Sequence, residues 1–289
     1  MRRAAMIACL CCLPACKQID ELPPATPGNA AAPAATSAPD DKPPAWLSSE
    51  ASVFEHVQQT LEQAGFPEVR TAVFRVTEDV ALPAYQGADR TLSIPPFADG
   101  AEAMRARLAR TSARHFAGAF TFIDAYPSLE QAYTGYRVFL TIAVAHELAH
   151  HLQLVQKPAA PPSDIYALES SAIELEQAFL AHEIEAKHVP ATWRDHYRRA
   201  VMAVRDSVPL TVRDKLPEDE KARSLAFAQA YATYARGEAA SRDDGVNPEV
   251  DAAALVYAGY TEKRVSLLVK PGRPLSSLAK AFRDRATGP

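Results

Sequence analysis

Residues 146 to 151 read His-Glu-Leu-Ala-His-His. Histidines four apart on a helix project from one face, so His146 and His150 can hold a single Zn²⁺ at about 2.0 to 2.1 Å. Glu147 is turned about 100° from His146 by the helical repeat. That is too far round for a third ligand, yet it suits a carboxylate that must reach a zinc-activated water. Zinc lowers the pKa of such a water, and a nearby carboxylate can take its proton and deliver it to a leaving amine. His151 points about 100° away from His150 and is expected behind the site or at the surface rather than as a ligand. All four cysteines (Cys9, Cys11, Cys12 and Cys16) lie in the first 16 residues. The rest of the chain therefore offers no thiolate, which excludes zinc ribbons and cysteine nucleophiles.

The residues before the motif, 138 to 145 (VFLTIAVA), are uncharged, which predicts a buried helix. Two histidines and a glutamate inside a buried helix are costly unless something coordinates or hydrogen-bonds them. Short motifs of this type also arise by chance, with the histidines as ordinary core residues, but the buried context favours zinc.

On these residues the chain resembles the zincin metallopeptidases. Val144, Ala145, Leu148, Ala149 and Leu152 match their longer uncharged pattern, and the resemblance covers roughly residues 133 to 185. The metzincin pattern would need Gly and His at 153 and 156, where this chain has Gln153 and Gln156. The gluzincin class takes a glutamate from a following helix, and residues 165 to 183 offer Glu169, Glu174, Glu176 and Glu183. At 100° per residue from Leu168, the residues Ala172, Leu175 and Phe179 fall within about 40° on one apolar face, which Ile173 and Leu180 extend toward 140°. Glu169 and Glu176 lie within that face, at about 100° and 80°, while Glu174 opposes it at about 240° and is expected to be solvated. Glu169, with Ala172 three residues later, also resembles the Glu-x-x-Ala pattern of gluzincin-like proteins. Glu169 is the expected third ligand and Glu176 the next candidate. Position 173, an aspartate in several gluzincin groups, is Ile173 here, so the support such a carboxylate gives the first histidine is missing at that position. Tyr231, Tyr234, Tyr257, Tyr260, His182 and His196 could assist at an oxyanion but are more simply packing or surface residues.

The elements that must position this site follow from periodicity. Residues 49 to 64 predict an amphipathic helix with Gly65 past its end. Residues 69 to 77 (VRTAVFRVT), 90 to 95 (RTLSIP) and 119 to 123 (AFTFI) predict strands. Asp99 to Ala117 reads as a helix with a capping box at Asp99 and Glu102. After Pro127, Ser128 can cap a long helix running through Val155. Residues 164 to 187, 192 to 207, 217 to 240 and 248 to 260 predict helices, and 264 to 269 (RVSLLV) a late strand. Strands first and helices after predict an α+β fold, with a small sheet over the metal-binding helix and a mainly helical C-terminal half.

Arg2 and Arg3 followed by the apolar run 4 to 15 match a secretory signal peptide (1–15). Its end, Leu13-Pro14-Ala15-Cys16, resembles the bacterial lipoprotein signal, which implies a lipid on Cys16 and a periplasmic or outer-membrane location. Half of residues 17 to 44 are Ala or Pro, seven of each, which predicts a disordered tether (16–44) before a folded body over 45–289. Net charge is -4 with no cationic run, which argues against nucleic-acid binding. Outside the N-terminus no stretch approaches 18 uncharged apolar residues, which argues against a membrane span. The resemblance implies a zinc metallopeptidase of the cell envelope acting on a peptide or protein, with Glu147 as base and His146, His150 and Glu169 on Zn²⁺. Its rivals are a non-catalytic envelope protein on the same scaffold and a zinc amidase.

Overall fold

The structure is a computed structural model that describes residues 44–286, apart from 79, 81, 98–99, 108–122, 157–164, 208–213, 237–247 and 270–275. The expected signal peptide, lipidated Cys16 and tether lie outside the described residues, save Pro44. The architecture is mixed α and β, mostly helical, with one three-stranded sheet among the described residues.

Helix α1 (Glu50–Gln63) begins where expected: the Ser49 hydroxyl accepts from the Ser52 N–H at 3.2 Å. It buries Val53, Phe54, Val57 and Leu61, the apolar stripe of its 3.6-residue repeat. A 3-10 turn, Pro67–Thr71, takes the first part of the predicted strand over 69 to 77, leaving β1 as Val73–Val76. Strand β2 (Ala84–Gln86) was not predicted, because three residues are too few to display alternation. The tight turn at 87–90 leads to β3 (Thr91–Ile94), the strand expected over 90 to 95. In that turn Arg90 adopts φ 60°, and Asp89 Oδ1 accepts from the Thr91 N–H at 3.1 Å. The sheet order is β1-β3-β2, with β1 parallel and β2 antiparallel to the central strand.

Of the helix predicted from Asp99, residues 101–107 are helical and 108–117 lie outside the described residues. The strand predicted over 119 to 123 lies outside them too, except that Ile123 is helical. Helix α2 (Leu129–Gln156) follows Ser128, whose hydroxyl accepts from the Gln131 N–H. By length and composition α2 could cross a membrane, but 72% of its apolar window is buried inside the fold. Then come α3 (Ile165–Glu185), α4 (Thr192–Ser207), α5 (Glu220–Arg236), α6 (Pro248–Val269) and α7 (Ser277–Ala286).

Two expectations for the C-terminal region change. Residues 264–269 are the last turns of α6, not a strand. An apolar run of this length cannot be told from a buried helix by pattern alone, and no strand lies beside it among the described residues. Helix α7 was not predicted; it buries Leu278, Ala279 and Phe282.

The core explains why α2 and α3 are apolar on more than one face. One side of α2 (Val138, Ile142, Ala145, Leu152) and of α3 (Ala172, Leu175, Phe179) joins α1 and the sheet. Another side of α2, through Tyr136 and Leu140, meets Tyr126 and the Ala200 and Ala203 positions of α4. Ile165, Tyr166 and Ile173 of α3 pack on Phe227 of α5 and on Val256 and Tyr260 of α6. Helices clad on several sides lose the single stripe and become apolar all round. Close packing also dictates Gly135 on α2, where any Cβ would overlap the Tyr126 hydroxyl.

Candidate metal centre

Helices α2 and α3 lie side by side and bring three donor atoms together. His146 Nε2 and His150 Nε2 are 3.1 Å apart, and Glu169 Oε2 lies 3.3 Å from the first and 3.2 Å from the second. All three residues are buried. Ligands at about 2.0 to 2.1 Å on a tetrahedral ion are separated by about 3.3 to 3.4 Å, so this triangle has nearly the size of one tetrahedral face.

Partners on the far side of each ring assign the protons. Gln153 donates through Nε2 to the Leu168 carbonyl at 2.9 Å, which turns its Oε1 toward His150 Nδ1 at 3.0 Å. His146 Nδ1 lies 2.9 Å from Glu176 Oε2. His150 therefore donates from Nδ1 and turns its Nε2 lone pair toward Glu169, and the Glu176 carboxylate beside His146 Nδ1 favours the same tautomer there by its charge. A proton on one Nε2 could satisfy only some of these contacts, and a proton on each would set two N–H groups 3.1 Å apart in a buried site. One divalent cation satisfies all three atoms. Imidazole with carboxylate is a donor set suited to zinc, so the residues present fit that ion. Glu169 Oε1 is buried and has no hydrogen-bond partner among the described residues. Burial pushes the Glu169 carboxyl upward, but positive charge on the facing imidazoles, His150 first and then His146, outweighs it and holds it well below the usual range.

Glu147 is buried beside this triangle, and its Oε2 accepts from the Tyr85 N–H at 2.9 Å. The Tyr85 hydroxyl meets His151 Nδ1 at 2.8 Å, and His151 Nε2 donates to the Glu68 carbonyl at 3.0 Å. One β2 residue thus fastens the sheet to two residues one turn apart on α2. His151 is interior and set away from the triangle, as its angle on the helix requires.

Glu176 takes the place behind His146. Its carboxylate also receives two bonds from Arg264, at 2.6 and 2.9 Å, and one from the Tyr197 hydroxyl. Burial raises its pKa, yet Arg264 and His146 together hold it well below the ordinary carboxylate range. The support missing at Ile173 thus comes from one turn further along. Glu174 corrects an expectation: it is buried, not solvated, with Oε1 2.8 Å from Lys263 Nζ and Oε2 accepting from the Ser276 N–H at 2.6 Å. The angular plot identified the face opposite Glu169 but not that α6 and the segment leading into α7 cover it.

The later aromatic candidates are occupied by packing. Tyr231 and Tyr260 contact Phe227, His196 stacks on Tyr126, and His182 meets Phe282 edge-on. The side chains of Tyr234 and Tyr257 lie outside the described residues. Tyr85, Tyr197 and Arg264 reach the site from remote segments, which no local pattern shows, whereas Gln153 contacts His150 at i,i+3 on the same helix, a spacing legible in the sequence. One signal was present: Glu169, Glu176 and Glu183 recur every seven residues, two turns apart, and all three are buried on α3. No protein-family profile, curated protein or solved structure matches this chain.

Proposed function

We propose that the chain is a zinc-dependent metallopeptidase of zincin-like, gluzincin type. The observation that carries this reading is the convergence of His146 Nε2, His150 Nε2 and Glu169 Oε2 within 3.1 to 3.3 Å, with the Glu147 carboxylate one residue away. A Zn²⁺ held there would supply Lewis acidity, polarising a scissile carbonyl and acidifying a water. Glu147 is the general base: the Tyr85 N–H fixes its Oε2, and the carboxylate takes the water's proton and returns it to the departing amine. Glu176 and Gln153 hold the two imidazoles in the tautomer that leaves Nε2 for the ion.

A binding-only protein has no use for a general-base carboxylate at the position after the first metal ligand, which favours the hydrolase over the scaffold reading. The test is Glu147→Gln in the full chain, assayed for zinc content and for cleavage of a peptide library beside a panel of amide substrates. Zinc is expected to stay near one ion at this site while cleavage is lost, because the amide keeps the shape and removes the base. Retained cleavage overturns Glu147 as base; cleavage of amides without peptides moves the reading to an amidase. The same proposal places the protein at the cell envelope through a lipid on Cys16, so Cys16→Ser should release it from membranes.

A further inference from the structure

The buried carboxylate stripe on α3 has a third member that the catalytic reading leaves unused. Glu183 lies two turns beyond Glu176 and four beyond Glu169, about 21 Å along the helix from the latter. Its side chain is fully buried, and each of its oxygens faces an imidazole from a different segment. His56 Nε2, on α1, lies 2.7 Å from Oε2. His188 Nδ1, in the turn after α3, lies 3.3 Å from Oε1. One ligand atom from each of the three residues falls within 4.8 Å of the others.

We propose that His56, Glu183 and His188 form a second site for a divalent transition-metal ion, which clasps α1 to the C-terminal end of α3. Three features support an ion over a simple ion pair. First, Glu183 does not need His188 for satisfaction, because His56 serves Oε2 and the Thr60 hydroxyl donates to Oε1 at 3.4 Å. The chain nevertheless turns His188 back onto it. Lys187, at φ 58°, closes a Schellman cap in which the Lys187 and His188 N–H groups donate to the Ile184 and Glu183 carbonyls at 3.1 and 2.9 Å, and this cap sets His188 beside Glu183. Second, 3.3 Å is long for a charge-assisted hydrogen bond but matches the separation of two ligands on one ion, about 3.3 to 3.4 Å. The 2.7 Å bond from His56 would be exchanged for coordination when an ion enters. Third, the His56 ring is locked in place by Trp46, stacked at 3.9 Å and 7°, which removes the rotamer freedom that binding would otherwise cost.

His188 is about half exposed, so an ion has a path in and a position left for water. Two imidazoles and one carboxylate suit zinc. The clasp would be structural, since it fixes α1, against which the Pro67–Thr71 turn and the sheet are packed. This inference does not rest on the peptidase reading.

The test uses the full chain, stripped of metal and titrated with Zn²⁺, with bound zinc counted by elemental analysis and thermal unfolding followed in parallel. Wild type is expected to bind two ions, and His146→Ala/His150→Ala to keep one whose binding raises the unfolding temperature. Adding His188→Ala or His56→Gln to that double variant should weaken the remaining ion more than about 100-fold, beyond what loss of a mere supporting partner costs. His188→Ala in the wild-type background should still bind one ion. A natively folded His146→Ala/His150→Ala chain that binds no zinc overturns the second site and leaves the first standing. A remaining ion unmoved by both His188→Ala and His56→Gln overturns the ligand assignment. A wild type with one ion, lost through His188→Ala but kept in His146→Ala/His150→Ala, supports the clasp and overturns the first site.

Discussion

Arg264→Met isolates the buried charge that supports the candidate metal centre from behind. The guanidinium, partly buried, makes two bonds at 2.6 and 2.9 Å to Glu176, whose side chain is nearly inaccessible to water. Removing one partner of such a pair leaves the other charge buried and uncompensated, at about 3 to 5 kcal/mol. Counting the two lost charge-assisted bonds at about 1.5 to 3 kcal/mol each gives a similar range. The Tyr197 hydroxyl and His146 remain on Glu176, which favours the lower end. For a domain of this size, each kcal/mol moves the unfolding temperature by about 2 to 4 °C, so the metal-stripped chain should melt about 6 to 20 °C lower. Zinc affinity at the first site should fall about 10- to 100-fold, because Glu176 then holds His146 less firmly. The assay is thermal unfolding of the stripped chain, with zinc competition titrations alongside. Glu176→Gln and the double variant complete a cycle, in which the double should lose less than the sum of the singles by about 1 to 3 kcal/mol. A loss below about 1 kcal/mol for Arg264→Met, or strict additivity, refutes the coupling.

The three α3 glutamates should separate by readout: Glu169→Ala loses zinc affinity most, by more than about 100-fold, and Glu176→Ala loses less. Glu174→Ala should lower stability, by stranding Lys263, without moving zinc affinity; zinc titration and thermal unfolding of each variant check the order. Burial pushes the Tyr85 phenol up to about 12. A raised folded-state pKa gives stability that is complete below the unfolded value of about 10 and is lost as pH rises from there through about 12. Ultraviolet titration of wild type against Tyr85→Phe should therefore show one tyrosine ionising near pH 12, and a difference near pH 10 contradicts its burial. Gly135→Ala must displace Tyr126, whose hydroxyl bonds the His196 carbonyl, and should cost about 1 to 3 kcal/mol despite alanine's better helix propensity, measured by chemical denaturation.

The sequence alone was enough to determine the features that depend on neighbours within one helix. His146, Glu147 and His150 owe their relation to the 3.6-residue turn, which holds wherever the helix forms. The uncharged run before them was enough to show that it would be buried. The cap at Ser128 and the inward face of α1 are likewise local. The 3.6-residue repeat of α3 also placed Glu169 and Glu176 toward α2, because Ala172, Leu175 and Phe179 mark the side that packs, although Leu168 itself is only partly buried. Only the tertiary structure could decide what each face meets. Glu174 opposes the packed stripe of α3 and is still buried, because α6 and the approach to α7 cover that side. Between Glu169 and Glu176, separated by two turns on one face, the choice depends on how far α3 slides along α2, a translation that no periodicity encodes. The same docking sets Glu176 between His146 and Arg264, residues 118 positions apart in the chain. Residues 264–269 became helix rather than strand for a related reason: a short apolar run suits either state, and the helical one carries Arg264 to Glu176. Tyr85 lies on a strand too short to announce itself, and its N–H reaches Glu147 only once the sheet has docked on α2. Local hydrogen bonding repeats along the chain and is written in it, whereas contacts between remote segments follow from how whole surfaces fit together.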